Sequence, residues 1–152
     1  MTTDQRIRIH QELEMLLADY WHDVDVNFGR NAADFYEEDA VFHSQYVRHE
    51  GREQIRKFYQ FRRDRGARTA VHVATNFRVE SFTETEAVTT WYMQLFAHDG
   101  TPVHPTAPPI QIAFMTDVCR RQPDGRWLYK ERKFDILFEG GVPTTRAPKQ
   151  GA

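Results

Sequence analysis

The second half of this 152-residue chain holds four long runs rich in Val, Thr, Phe, Tyr and Trp, at 69–82, 86–97, 110–121 and 126–138. Thr83-Glu84-Thr85, Asp99-Gly100 and Pro123-Asp124-Gly125 interrupt them with turn residues. Consecutive strands joined this way pair antiparallel with their neighbours, so the runs predict a meander of long strands. One connection is unusual: segment 101–109 holds four of the seven prolines. It reads either as a stiff connecting loop or as a rim over a pocket mouth or subunit contact.

The first half has a different period. Ile9, Leu13, Leu16, Leu17, Tyr20 and Val24 recur at spacings of three and four, which predicts a helix over about 4–24 with Asp4 as N-cap. Asn27-Phe28-Gly29 ends it, a short helix follows at about 32–37, and 40–42 begins extended structure. Ile55, Phe58 and Tyr59 mark one face of a third helix, stopped by Gly66. Helices first and a strand meander afterwards is the α+β pattern. We expect one domain over 1–139 and a loose Gly/Pro-rich tail over 140–152.

Charge and composition narrow the function. Lys plus Arg number 20 against 22 for Asp plus Glu, so no basic face is expected for nucleic acid. Cys119 stands alone, which excludes an internal disulfide and every CxxC zinc site. The charged N-terminus lacks the apolar run of a signal peptide, and no stretch is apolar enough to span a bilayer; a cytoplasmic protein is expected. Nucleotide, phosphate and nucleophile-elbow motifs are missing. His43 and His49 are six apart, as are His98 and His104, which is not ligand spacing; neither a metal nor a cofactor is expected. Phe 11, Tyr 6 and Trp 3 make up 13% of the chain, enough for an aromatic core or a ring-lined pocket.

Tyr20 on the first helix, Asp25 at its end and His72 in the first long strand are the main candidates for chemistry. Strand alternation sets His72 on one face with Ala70, Ala74 and Asn76, where small neighbours leave room for the ring. A histidine satisfied in the core or exposed at a sheet edge is the alternative. Asp117, on the face of Ala113 and Met115, is an outer candidate; its alternative role is a salt bridge to Arg120 or Lys133.

In order along the chain come DVNFGRNAADFYEEDAVF, GREQIRKF, HVATNFRVE and DVCRRQPDGRW. That succession, over about residues 8–138, resembles the SnoaL-like branch of the nuclear transport factor 2 superfamily. The resemblance implies a cone-shaped α+β barrel: a curved antiparallel sheet wrapped around three N-terminal helices, with one apolar pocket. Members include polyketide cyclases, scytalone dehydratase, bile acid 7α-dehydratase and ketosteroid isomerase. In the dehydratases an Asp–His dyad lies in the pocket with a Tyr nearby. Asp25 and His72 match that dyad by type and position, and Tyr20 precedes Asp25 by the five residues seen in the bile acid enzyme. In a continuous helix five residues rotate by about 140°, so Tyr20 and Asp25 converge only if the helix bends or ends between them. His98 falls near the second pocket His of scytalone dehydratase, and Asp117 near an aspartate the cyclases use.

The expected function is cofactor-free acid–base chemistry, as a lyase or isomerase, on an apolar cyclic carbonyl or hydroxyl compound. His72 would act as base, Asp25 as its orienter and Tyr20 as donor to the carbonyl, with Asn76, Asp117 and His98 contacting substrate. A non-catalytic subunit, like the small subunits of ring-hydroxylating dioxygenases, and a ligand-binding domain stay open. Apolar residues on both strand faces, Trp91, Met93 and Leu95 against Val88, Tyr92 and Phe96, predict a homodimer or homotrimer built sheet to sheet.

Overall fold

The computed structural model describes residues 2–140. Its elements are α1 (Thr3–Val26), a 3-10 turn (Ala32–Phe35), β1 (Tyr36–Ser44), β2 (Arg48–Glu50), α2 (Arg52–Asp64), β3 (Arg68–Phe82), β4 (Glu86–Asp99), β5 (Gln111–Arg121) and β6 (Trp127–Glu139). The six strands form one curved, open sheet in the order β2-β1-β6-β5-β4-β3. The fold is α+β, with two α-helices and a 3-10 turn where three helices were expected. The expected tail lies outside the described residues, apart from Gly140. No helix among the described residues is long and apolar enough to cross a membrane.

The sheet is mixed where an antiparallel one was expected. The meander β3-β4-β5-β6 is antiparallel throughout, but β1 lies parallel to β6 on its far side. The chain reaches that edge by way of the 3-10 turn, and β2 then pairs antiparallel with β1, Phe42 opposite His49. Strand β2 has three residues, too few for alternation to reveal it.

The N-cap of α1 is Thr2, two residues earlier than the sequence suggests. The Thr2 side chain accepts the Gln5 amide at 3.2 Å while the Gln5 side chain accepts the Thr2 amide at 2.9 Å, a reciprocal cap. Asp4 falls in the first turn, where its charge suits the helix dipole. The apolar stripe of α1 buries Leu13, Leu17, Tyr20 and Trp21 against the inner sheet face, which contributes Trp91, Met93, Met115 and Tyr129. The opposite sheet face carries Val88, Tyr92 and Phe96, and Tyr92 is 39% exposed.

Segment 101–109 forms no strand or helix. Its His104 Nε2 lies 2.8 Å from Thr69 Oγ1, tying it to β3, and the Ile110 amide then donates to Leu95 O at 2.7 Å. Ile110 and Gln111, not the prolines, reach the cavity described below.

Candidate active site

Asp25 lies on the last turn of α1 and His72 in β3, and the two elements bring them into contact. His72 Nδ1 lies 2.6 Å from Asp25 Oδ1, and the His72 main-chain N–H donates to Oδ2 at 2.7 Å. A carboxylate only accepts, so Nδ1 carries the proton and Nε2 keeps its lone pair. Trp21 precedes Asp25 by four residues and so shares its helix face. Its indole lies flat on the imidazole, centroids 3.9 Å apart and planes 8° apart. The ring is held on an edge and a face.

The His72 side chain is 5% exposed and that of Asp25 16%. Burial lowers the His72 pKa below the ordinary imidazole value; the Asp25 hydrogen bond and charge oppose this, and Arg62 and Arg68 add to the lowering. Burial is the largest of these, so the ring is neutral at pH 7.

His72 lines a cavity of about 320 Å³ between α2 and the inner sheet face. Trp21, Phe42, Met93, Leu95 and Phe134 form its apolar depth, and exposed Tyr46, Arg65, Gly66 and Glu139 its mouth. Space of this size suits a small ring compound. Asp25 does not line it. It borders a second cavity of about 330 Å³, with Phe28, Arg30, Arg63 and Ala70, where one pocket was expected. Tyr59, Arg62, Gly66, Ala67 and Arg68 border both.

Tyr20 is placed elsewhere. α1 runs unbroken to Val26, so Tyr20 is turned away from Asp25 into the core and is fully buried. Its hydroxyl accepts from Tyr36 at 2.9 Å and shares a close hydrogen bond with the Tyr59 hydroxyl. Burial raises all three phenols well above the ordinary tyrosine value, so they stay protonated. Of the three, Tyr59 alone lines the cavity.

The other candidates lie away from the cavity wall. Asn76 is exposed, because β3 shifts register between Thr75 and Arg78 and Asn76 sits in the bulge at φ 56°. Asp117 is buried on the inner face, but its partner is Arg132, not Arg120 or Lys133. It takes Arg132 Nε at 2.8 Å and Nη2 at 2.9 Å, and Trp91 Nε1 at 2.8 Å. Arg120 pairs with Glu86 and Lys133 with Asp135. His98 turns its Nδ1 to its neighbour's carbonyl, Asp99 O, at 2.7 Å and stacks on His104. Among the described residues no three His, Cys, Asp or Glu side chains gather as a metal site.

Sequence reading missed Trp21, Tyr59 and Arg62. The four-residue spacing of Trp21 and Asp25 signals the first. Tyr59 and Arg62 stand three apart on α2, which puts them on one helix face.

An apolar cavity between an α-helix and a curved sheet, with a buried His–carboxylate pair at its wall, defines a small-molecule-binding α+β domain. The sequence profile of the SnoaL-like domain family matches residues 5–133, and the chain belongs to that family. Its fold is similar to that of a scytalone-dehydratase-like protein from Novosphingobium aromaticivorans (TM-score 0.78, 20% identity, 99% of each chain). It is also similar to ActVI-ORFA from Streptomyces coelicolor (TM-score 0.72, 16% identity, 84% of this chain and 97% of that one). A third similar structure, from Catenulispora acidiphila, is in complex with S-DNPA (TM-score 0.69, 22% identity, 86% of this chain and 94% of that one). At these identities the likeness is one of fold. No curated protein sequence matches.

Proposed function

We propose that the chain is a cofactor-independent acid–base enzyme acting on an apolar cyclic carbonyl or hydroxyl compound, by dehydration, isomerisation or cyclisation through an enolate. The observation that carries this reading is His72 at the wall of the apolar cavity, with Nδ1 bound to Asp25 at 2.6 Å. Nε2 takes the proton beside the substrate carbonyl, and the C–H electron pair moves into the enolate. Asp25 holds the tautomer and stabilises the imidazolium that forms. In an elimination the enolate re-forms the carbonyl and expels the hydroxyl, which leaves as water with the proton from Nε2. Tyr59, not Tyr20, lines the cavity and is the donor to the developing oxyanion.

The scytalone dehydratase name of one similar fold supports this chemistry by analogy only. The cavity is open space rather than a plug of side chains, which favours a ligand-binding function over a scaffold. Deuterium exchange into 2-tetralone, a small enolisable ring ketone, tests the reading. The chain should accelerate exchange at C1, and His72→Ala should remove about 10²–10⁴-fold of that rate. Equal exchange by both proteins contradicts it; binding without exchange leaves a ligand-binding domain.

A further inference from the structure

Arg62 is not used by the chemistry proposed above, yet it borders both cavities. It lies near the C-terminal end of α2, half-buried, with its guanidinium 5.8 Å from the Phe58 ring centre and 5.5 Å from that of Tyr59. Both rings line the cavity that His72 borders, so they hold the cation against its wall. Several other arginines are occupied: Arg56 by Asp34 and Glu53, Arg120 by Glu86, Arg121 by Glu12, and Arg63 by Gly29 O. Among the described residues Arg62 has neither an ion pair nor a hydrogen bond.

The nearby charges do not change this. Arg65 and Arg68 also line the cavity, and each has interactions of its own. Of the carboxylates there, Glu139 accepts the Tyr46 hydroxyl at 3.0 Å, and both it and Asp99 are engaged elsewhere. Asp25 is committed to His72 through both oxygens. A half-buried guanidinium beside an apolar cavity is poorly solvated, and its planar fork matches a carboxylate.

We infer that Arg62 makes the cavity selective for ring compounds that carry a carboxylate, the carboxylate on the guanidinium and the ring among Phe42, Met93, Leu95 and Phe134. The inference rests on the cavity lined by His72 being the substrate site. The charge of Arg62 also contributes to keeping His72 neutral, and a bound anion would relieve that influence.

Calorimetric titration of the full chain with 2-naphthoate and with 2-naphthamide separates charge from ring. The acid should bind about ten- to a hundred-fold more tightly, the scale of a hydrogen bond to a charged group. Arg62→Gln should bring the two ligands to near-equal affinity, and Arg62→Lys should restore part of the preference. Equal binding of acid and amide to the unaltered chain overturns the inference, and so does a preference that survives Arg62→Gln. If neither ligand binds, the inference and the cavity reading fall together. If the preference depends on Arg62 while His72→Ala leaves tetralone exchange unchanged, this inference stands and the catalytic one falls.

Discussion

At His72, burial lowers the pKa and the Asp25 carboxylate raises it, with burial the larger influence. The group is a neutral base at pH 7, and the acid limb of its kcat/KM profile should lie below the ordinary imidazole value of about 6.5. Asp25→Asn removes an influence that raises the pKa and should move the limb lower; Arg62→Gln removes one that lowers it and should move the limb higher. A limb at or above 6.5 in the unaltered protein contradicts the placement of His72. The same residue affects stability. The unfolded chain protonates His72 near 6.5 and the folded one only at lower pH. Stability conferred by the neutral ring is therefore full above 6.5 and falls as pH drops toward the folded value. Burial lowers His49 in the same direction, so an acid unfolding curve reports both. At this scale the Asp25–His72 contact was legible, because a helix end and a strand residue bearing those groups fit a known dyad. Tyr20 was misplaced because α1 does not bend before Asp25, and Asn76 because alternation cannot foresee a bulge.

Two of the connections between elements carry more than their length suggests. Gly29, just after α1, has φ +70°, and a Cβ there would come within 2.5 Å of Tyr59 Cδ1. The absence of a side chain lets Tyr59 of α2 close against that connection, so Gly29→Ala should cost about 1–3 kcal/mol from backbone conformation alone and displace Tyr59. An unchanged denaturant midpoint would contradict this. Across β5 and β6, the Arg132 guanidinium is fully buried against Asp117, with the Tyr129 ring 4.0 Å and the Tyr20 ring 4.5 Å away. Asp117→Ala strands that cation and should cost about 3–5 kcal/mol. Activity lost by that variant should track lost fold, with thermal unfolding reporting both. Pattern alone exposed the meander and α2, since long alternating runs and a stop at Gly66 are local signals. The parallel β1–β6 pairing was hidden, because strands far apart in sequence leave no turn to announce their contact.

At the scale of the molecule, the helices among the described residues cover one face of the sheet. On the other, Val71 is 49% and Tyr92 39% exposed, with Phe96, Ile112, Phe114 and Val118 half-buried around them. Register places Val71 beside Phe96 and Tyr92 beside Phe114, so these side chains form a continuous apolar band. We propose that a second copy of the chain covers it, as a dimer or trimer built sheet to sheet. Light scattering at micromolar concentration should give a multiple of 18.0 kDa, and Tyr92→Lys should reduce it. A monomer mass for the unaltered chain would refute this assembly.

The central claim is that His72 and Asp25 act as one unit at the cavity wall, and a double-mutant cycle on the tetralone exchange rate tests it most directly. His72→Ala and Asp25→Asn should each lower the rate sharply. The double variant should be scarcely slower than His72→Ala alone, because an orienting carboxylate has nothing left to orient. Losses that simply multiply would show two groups acting separately and contradict the account.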